Sequence, residues 1–234
     1  MTLAATRAIN AADLVLIPRK GVEKVDLANL RRTICAQVLT NPNTRVVEFD
    51  LPRRDLQHMD YCGSVDEWHA AVAAAWSKEI ENHPGNKRSV VLLIWGDPSL
   101  YDSSLRIARR LDPLPEIEVI PGITSIQALC AAHAIPVNEV GEPFLVTTGR
   151  CLGEGGWPAG VDTAVVMLDG SAAFQSLDPR GVHIWWGAYL GMAHEIILSG
   201  PLAEMCAKIV AARAQARAQH GWIMDSYILR RNLK

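Results

Sequence analysis

Apolar positions in the first half of the chain switch repeatedly between helical spacing and continuous runs. Leu14-Val-Leu-Ile17 is such a run; it follows a helical pattern (Leu3, Arg7, Ile9, Ala12) and leads into Pro18-Arg-Lys-Gly21. That order predicts a helix, a buried strand and a basic loop at the strand's carboxyl end. Leu27, Leu30, Ile34 and Val38 share one helical face behind Asp26 as a cap, so a helix is expected up to Leu39. Arg45–Phe49 is expected as a strand. Ser64-Val-Asp-Glu67 has the form of a capping box, and Trp68, Val72, Trp76 and Ile80 recur behind it every four residues, as in an amphipathic helix. Val90–Trp95 and Glu116–Ile120 read as further strands, and Ser103–Leu111 and Ser125–His133 as the helices that come after them.

Beyond Ile135-Pro136 the texture changes. Short strand-like runs (Phe144–Thr148, Thr163–Leu168, His183–Tyr189, Glu195–Leu198) alternate with glycine-rich turns, which favours a largely antiparallel sheet. Pro201 stands at the first turn of an amphipathic helix (Leu202, Met205, Cys206, Ile209, Val210) expected to reach Gln219, and Trp222–Leu229 is the last strand. The expectation is an α/β protein made of two α/β domains. Residues 1–136 would carry a parallel sheet and residues 137–234 a mixed or largely antiparallel one, with a cofactor cleft between them.

Composition narrows the class of function. With 234 residues, 49% of them hydrophobic, the chain can bury cores of this kind. Its 23 Lys and Arg nearly balance 25 Asp and Glu, so no bulk field favours nucleic acid or an anionic membrane. No apolar run approaches the roughly 20 residues of a membrane span. The opening Met-Thr-Leu-Ala-Ala-Thr-Arg lacks the basic-then-apolar layout of a signal peptide, and a cytoplasmic location is expected. Five scattered cysteines without a Cys-x-x-Cys pair argue against structural zinc or a disulfide framework. Cys130 and His133 have a metal-like spacing but fall in an alanine-rich helical run, so packing explains them and no metal is expected.

Two units of strand, tight turn and helix hold most of the chemical information. They are Val90-Val-Leu-Leu-Ile-Trp-Gly-Asp-Pro-Ser-Leu-Tyr101 and Glu118-Val-Ile-Pro-Gly-Ile-Thr-Ser-Ile-Gln-Ala-Leu-Cys-Ala131. Such turns lie where an open parallel sheet binds a ligand. A lone Gly-Asp-Pro is only a turn; after an apolar run, and paired with a second unit, it says more. Gly96 permits close approach, Pro98 stiffens the turn, and Asp97 can fix the loop or receive a ligand hydroxyl or ammonium. Tyr101, Asp102 and Ser103 come next on the same loop. Thr124 and Ser125 place two hydroxyls beside free backbone N–H groups at a helix start, an arrangement suited to a carboxylate or ribose and equally to a well-capped helix. Arg19 and Lys20, on a carboxyl-end loop, suit the acidic side chains of a substrate, and a solvated loop accounts for them equally well.

Together the two units resemble the tetrapyrrole methylase family, and the resemblance covers essentially the whole chain. Its further marks are Asn10-Ala-Ala-Asp-Leu-Val-Leu-Ile-Pro-Arg-Lys-Gly21, Val47-Glu-Phe-Asp-Leu-Pro52, Trp68-His69 and His220-Gly-Trp-Ile-Met-Asp225. The resemblance implies S-adenosylmethionine as cofactor, a tetrapyrrole substrate and a homodimer. It assigns the cofactor to Gly96, Asp97, Pro98, Tyr101, Ser103, Thr124 and Ser125. Met167 and Leu168, ending Thr163-Ala-Val-Val-Met-Leu-Asp-Gly170, would line the adenine pocket, and Tyr189 and Leu190 would contact the cofactor from a last loop. The marks point to the branch that methylates ring carbon C-1 of precorrin-5 and releases the C-20 acetyl group as acetate. Methyl transfer asks mainly for placement and desolvation. Acetate release also asks for a group that activates water or stabilises an oxyanion. Asp102, Tyr61 and His69 are the candidates; their plainer roles are a helix cap, packing and a solvated face.

Family members carry a first strand and a Gly-x-Gly-x-Gly-x-Pro loop ahead of a Leu-Thr-Leu that Met1-Thr2-Leu3 resembles. Neither precedes it here, and a late start of the chain is the expectation. The competing readings are another methylase of this fold, acting on a different corrin carbon or on diphthine, and a noncatalytic tetrapyrrole-binding protein. A nicotinamide-dependent oxidoreductase would show Gly-x-Gly-x-x-Gly after a strand, which the chain lacks.

Overall fold

A computed structural model describes residues 1–19, 25–54, 61–83 and 89–231. They fall into two compact units, Met1–Ile123 and Thr124–Lys234. The division lies upstream of the expected boundary at residue 136, because the helix α5 (Ser125–His133) packs on the sheet of the second unit.

In the first unit, β1 (Leu14–Arg19) is the middle strand, with β2 (Arg45–Asp50) and β3 (Val90–Leu92) parallel on either side. A strand covered on both faces reads as an unbroken apolar run. Leu14 and Leu16 pack with Phe49, Val72, Trp76 and Ile107, whereas Val15 and Ile17 pack with Ile9, Ala28 and Cys35. The first face is covered by α3 (Tyr61–Glu81) and α4 (Ser104–Ala108), and the second by α1 (Leu3–Ala11) and α2 (Val25–Val38). The stripe Trp68, Val72, Trp76 and Ile80 lies in the first of these cores, as its spacing predicts. Asn10 fastens α1 to the end of α2. Its Nδ2 donates to the carbonyls of Thr6 and Val38, and its Oδ1 accepts from the N–H groups of Thr40 and Asn41.

The start of α3 differs from expectation: the helix begins at Tyr61, so Ser64 is buried within it rather than capping it. An apolar stripe fixes a helix's face more firmly than its first residue. Ladder bonds in β3 cover only Val90–Leu92, and Glu116–Ile120 joins no sheet among the described residues. Alternating apolar positions there mark an extended segment, but a strand also needs a neighbouring edge to pair with; Ile117 and Val119 remain exposed.

The second unit is built on a sheet ordered β4 (Phe144–Thr148), β5 (Thr163–Met167), β8 (Asp225–Arg231), β6 (Val182–Ala188), β7 (Ile196–Pro201). Only β4 and β5 run parallel; the other pairs are antiparallel, giving the expected mixed sheet. The last strand in the chain is therefore central, and Tyr227, Ile228 and Leu229 are fully buried. α7 (Leu202–His220) packs on β6 and β7 and ends at Gly221, which takes the left-handed conformation that favours glycine at this position. A helix not expected from the pattern, α6 (Gly149–Gly155), is capped by Thr148; its glycines weaken any helical signal in the sequence.

Candidate functional site

Past β3 the chain enters the first predicted loop through Gly96, at φ +76°. The Asp97 carboxylate then organises the rest of the loop. Its Oδ1 accepts from the N–H (2.9 Å) and hydroxyl (2.6 Å) of Ser99, and its Oδ2 from the N–H of Gly122 (2.8 Å). These bonds, that from the Ser99 hydroxyl foremost, hold the carboxyl below the usual carboxylate range. Gly122 is pressed so closely on the loop that a Cβ there would lie 1.9 Å from the Gly96 carbonyl oxygen. The turns of the two sequence units therefore meet, joined by Asp97.

Pro98 is half-buried and Tyr101 exposed, the latter at φ +50°. Asp102 Oδ1 accepts from the Ser104 N–H (2.6 Å), and the Asp102 carbonyl accepts from Arg106 Nη1 (3.0 Å). Asp102 thus caps α4, while the Ser103 side chain makes no capping bond. Sequence reasoning missed Arg31. This buried α2 side chain donates from Nε to the Leu93 carbonyl (3.2 Å), and its guanidinium lies 4.5 Å from the centroid of the Trp95 ring. Burial lowers its pKa to about 10, against an opposing pull from Asp102. It sets a cation at the carboxyl end of β3, where an open sheet meets its ligands.

The remaining candidates of this unit are more dispersed. His69 is buried in α3, and its Nε2 has no hydrogen-bond partner among the described residues. Burial lowers its pKa, reinforced by Arg110 and Arg106 and opposed by Asp66, which disfavours the charged imidazolium. It faces the interior rather than the solvated surface that its plainer reading supposed. Arg19 ends β1 and pairs with Asp50 (3.0 Å) on β2. Lys20 and the side chain of Tyr61 lie outside the described residues.

In the second unit, Thr124 and Gln127 form a capping box at the start of α5. Thr124 Oγ1 accepts from the Ile126 N–H (3.1 Å), and Gln127 Oε1 accepts from the Thr124 N–H (3.1 Å). Ser125 differs: its Oγ is buried with no hydrogen-bond partner among the described residues. Its hydroxyl, at the first turn of α5, therefore keeps hydrogen-bonding capacity that these residues do not use. Met167 ends β5 half-buried, and Leu168 comes next, exposed at φ +53°. Leu168 lines a cavity of about 440 Å³ with Gly149, Arg150, Glu154, Gly170 and Ser171. Tyr189 also has φ +53°, but its ring is fully buried and its hydroxyl donates to the Trp222 carbonyl (2.5 Å). Its side chain therefore packs the fold, and Leu190 lies half-buried over Gly187. Among the described residues five non-glycine positions have positive φ, and Tyr101, Leu168 and Tyr189 are three of them. Backbone strain of this kind gathers at ligand-binding turns.

Comparison with known proteins gives this geometry a context. The family model for Tetrapyrrole (Corrin/Porphyrin) Methylases matches residues 1–206. A precorrin-6A synthase [deacetylating] from Sinorhizobium sp is 48% identical over 235 residues, covering 99% of this chain and 90% of that protein. Among solved structures, a putative cobalamin synthesis related protein (CobF) from Corynebacterium diphtheriae superimposes with a TM-score of 0.83 at 36% identity, over 99% of this chain and 92% of that one. A uroporphyrin-III C-methyl transferase from Thermus thermophilus, complexed with S-adenosylhomocysteine, shares the fold with a TM-score of 0.57 at 21% identity, over 98% of this chain and 90% of that one. The chain belongs to the tetrapyrrole (corrin/porphyrin) methylase family.

Proposed function

We propose that the protein is an S-adenosylmethionine-dependent C-methyltransferase of corrin synthesis, converting precorrin-5 to precorrin-6A by methylation of ring carbon C-1 with release of acetate. The observation that carries this reading is the 48% identity, over 99% of this chain, with a precorrin-6A synthase. The cofactor fits the residues present. Ser125 offers an unused buried hydroxyl, the Gly96–Gly122 contact leaves backbone groups bare of side chains, and Leu168 presents an apolar wall to a cavity.

On this reading the cofactor-binding residues are Gly96, Asp97, Pro98, Tyr101, Ser103, Thr124, Ser125, Met167, Leu168 and Leu190, together with the main chain of Tyr189. When bound, it supplies an electrophilic methyl group. The chain supplies placement and exclusion of water, which account for much of the acceleration of such a transfer. Arg19 and Lys20 pair with carboxylates of the tetrapyrrole. For deacetylation, water adds to the acetyl carbonyl carbon and the bond to the ring breaks. Its electron pair stays on the ring, and acetate leaves. Asp102, on the loop that Asp97 organises, is the group that takes the water proton, with Tyr61 and His69 as the other candidates. The same resemblance gives a homodimer in the cytoplasm, which sedimentation equilibrium of the purified protein and fractionation of the source cells would check.

Asp97→Ala removes the bonds that hold both turns. It is expected to weaken S-adenosylhomocysteine binding roughly 10- to 150-fold by calorimetric titration. An unchanged Kd in a folded variant counts against the site. The two halves of the reaction should also separate. At least one of Asp102→Asn, Tyr61→Phe and His69→Ala is expected to yield a methylated product that keeps its acetyl group, identified by mass. Parallel loss of both activities in all three variants, or loss of neither, removes these residues from the deacetylation step.

A further inference from the structure

The second unit gathers several of its polar groups around one carboxylate that the proposed reaction does not use. Asp169 stands directly after Leu168 and is buried. Its Oδ1 accepts from the N–H (2.9 Å) and hydroxyl (3.0 Å) of Ser171, and its Oδ2 from the Ala173 N–H (2.7 Å) and the Tyr227 hydroxyl (2.6 Å). Its main-chain carbonyl accepts from Arg213 Nη2 (2.6 Å). Arg213 also donates through Nη1 to Asp225 Oδ2 (2.7 Å), which accepts in addition from Trp186 Nε1 (2.8 Å). The end of β5 is thereby tied to β6, α7 and β8.

What this network grips is a strained turn. Leu168 (φ +53°) and Ala172 (φ +58°) are non-glycine residues in the left-handed region, one on each side of Asp169. Such conformations persist only where their surroundings over-determine them. Leu168 cannot be held by its own packing, because 66% of it is exposed. Gly149 leaves the room that the carboxylate fills: a Cβ there would fall 2.3 Å from Asp169 Cγ. Burial alone would raise the Asp169 carboxyl, but the bonds from Tyr227, Ala173 and Ser171 outweigh it and keep the group ionised. Burial and the neighbouring carboxylate push Tyr227 far above its ordinary value, so its hydroxyl remains a donor.

We propose that Asp169 and Tyr227 are positioning residues for the cofactor, holding the Met167-Leu168 edge of the adenosyl pocket in its binding conformation before the ligand arrives. The inference rests on the proposed role of Leu168 as a cofactor contact. A preformed edge saves the ordering cost of binding. Its loss therefore falls on affinity, not on the chemical step.

The test compares Tyr227→Phe and Asp169→Asn with Leu168→Ala, measuring the Kd for S-adenosylhomocysteine and the KM and kcat of methyl transfer. Tyr227→Phe removes one hydroxyl and keeps the ring that meets Phe174 edge-on at 5.2 Å. Each network variant is expected to raise Kd and the cofactor KM by about 5- to 20-fold, with kcat at saturating cofactor within about twofold of wild type. Combined, they should cost less than the product of the two, since both remove the same bond. An unchanged Kd in Tyr227→Phe while Leu168→Ala weakens binding overturns the positioning role and leaves the Leu168 contact standing. Unchanged binding in Leu168→Ala overturns the contact, and the inference with it. A fall in kcat at constant KM also overturns the proposal. Should Asp169→Asn fail to fold, Tyr227→Phe decides.

Discussion

Gly122→Ala is expected to weaken S-adenosylhomocysteine binding by more than about 100-fold, at or above the upper end of the range expected for Asp97→Ala. The methyl would stand 1.9 Å from the carbonyl oxygen of Gly96 and 2.9 Å from its carbonyl carbon. Both are backbone atoms, so no side-chain rotation relieves the overlap. The turns must separate, and the Gly122 N–H then leaves Asp97 Oδ2, its partner at 2.8 Å. Overpacking of this kind typically costs about 1–3 kcal/mol before the lost hydrogen bond is counted. The same titration used for Asp97→Ala measures it. A folded Gly122→Ala protein with near-native affinity would mean that the contact between these turns does not shape the cofactor site.

The largest effect on stability is expected from Arg213→Ala. Arg213 and Asp225 form a buried ion pair at 2.7 Å, with side chains 8% and 5% exposed. Removing the cation leaves the buried Asp225 carboxylate facing the Trp186 indole N–H, a neutral donor, and takes a donor from the Asp169 carbonyl. Breaking a buried pair from one side costs about 3–5 kcal/mol. Equilibrium urea unfolding would show a midpoint far below wild type. Burial already raises the Asp225 carboxyl, with Arg213 pulling it back, so its loss raises the group further. A carboxyl whose folded pKa lies above its unfolded value stabilises the fold at low pH and loses that contribution as pH rises through the folded value. The deficit should therefore be larger at pH 8 than at pH 5. A deficit independent of pH would remove Asp225 from the explanation.

Local signals in the sequence carried far into the structure. The helix Ser125–His133 is found with the expected limits because a capping box opens it. The five runs read as strands beyond residue 143 all enter one sheet, within a few residues of their expected ends. The Gly96 and Gly122 turns were legible because strand, glycine and helix succeed one another in a fixed order, and that order also carried the family resemblance. The features that stayed hidden depend on partners distant in the chain. The central place of β8 between β5 and β6 is a matter of pairing, and the alternating pattern of a strand does not name its neighbours. Arg31 and Arg32 look alike in sequence. Yet Arg32 pairs with Glu48 at the surface and Arg31 is buried beside Trp95, because adjacent helical residues point to different sides. Asp169 reads as an ordinary turn residue before Gly170; its task is visible only once Tyr227 and Arg213 are brought to it from β8 and α7. Tyr189 shows the opposite limit, since its place in the chain drew attention to a side chain that the fold turns inward.

The conversion itself can be read in a single-turnover incubation of the purified protein with precorrin-5 and S-adenosylmethionine labelled in the methyl group. Mass spectrometry follows the corrin, and acetate is assayed in the same sample. One product is predicted, which has gained a single labelled methyl and lost its acetyl group, with one equivalent of acetate released for each methyl transferred. Precorrin-5 recovered unchanged, while another tetrapyrrole or diphthine precursor is methylated under the same conditions, would contradict the assignment.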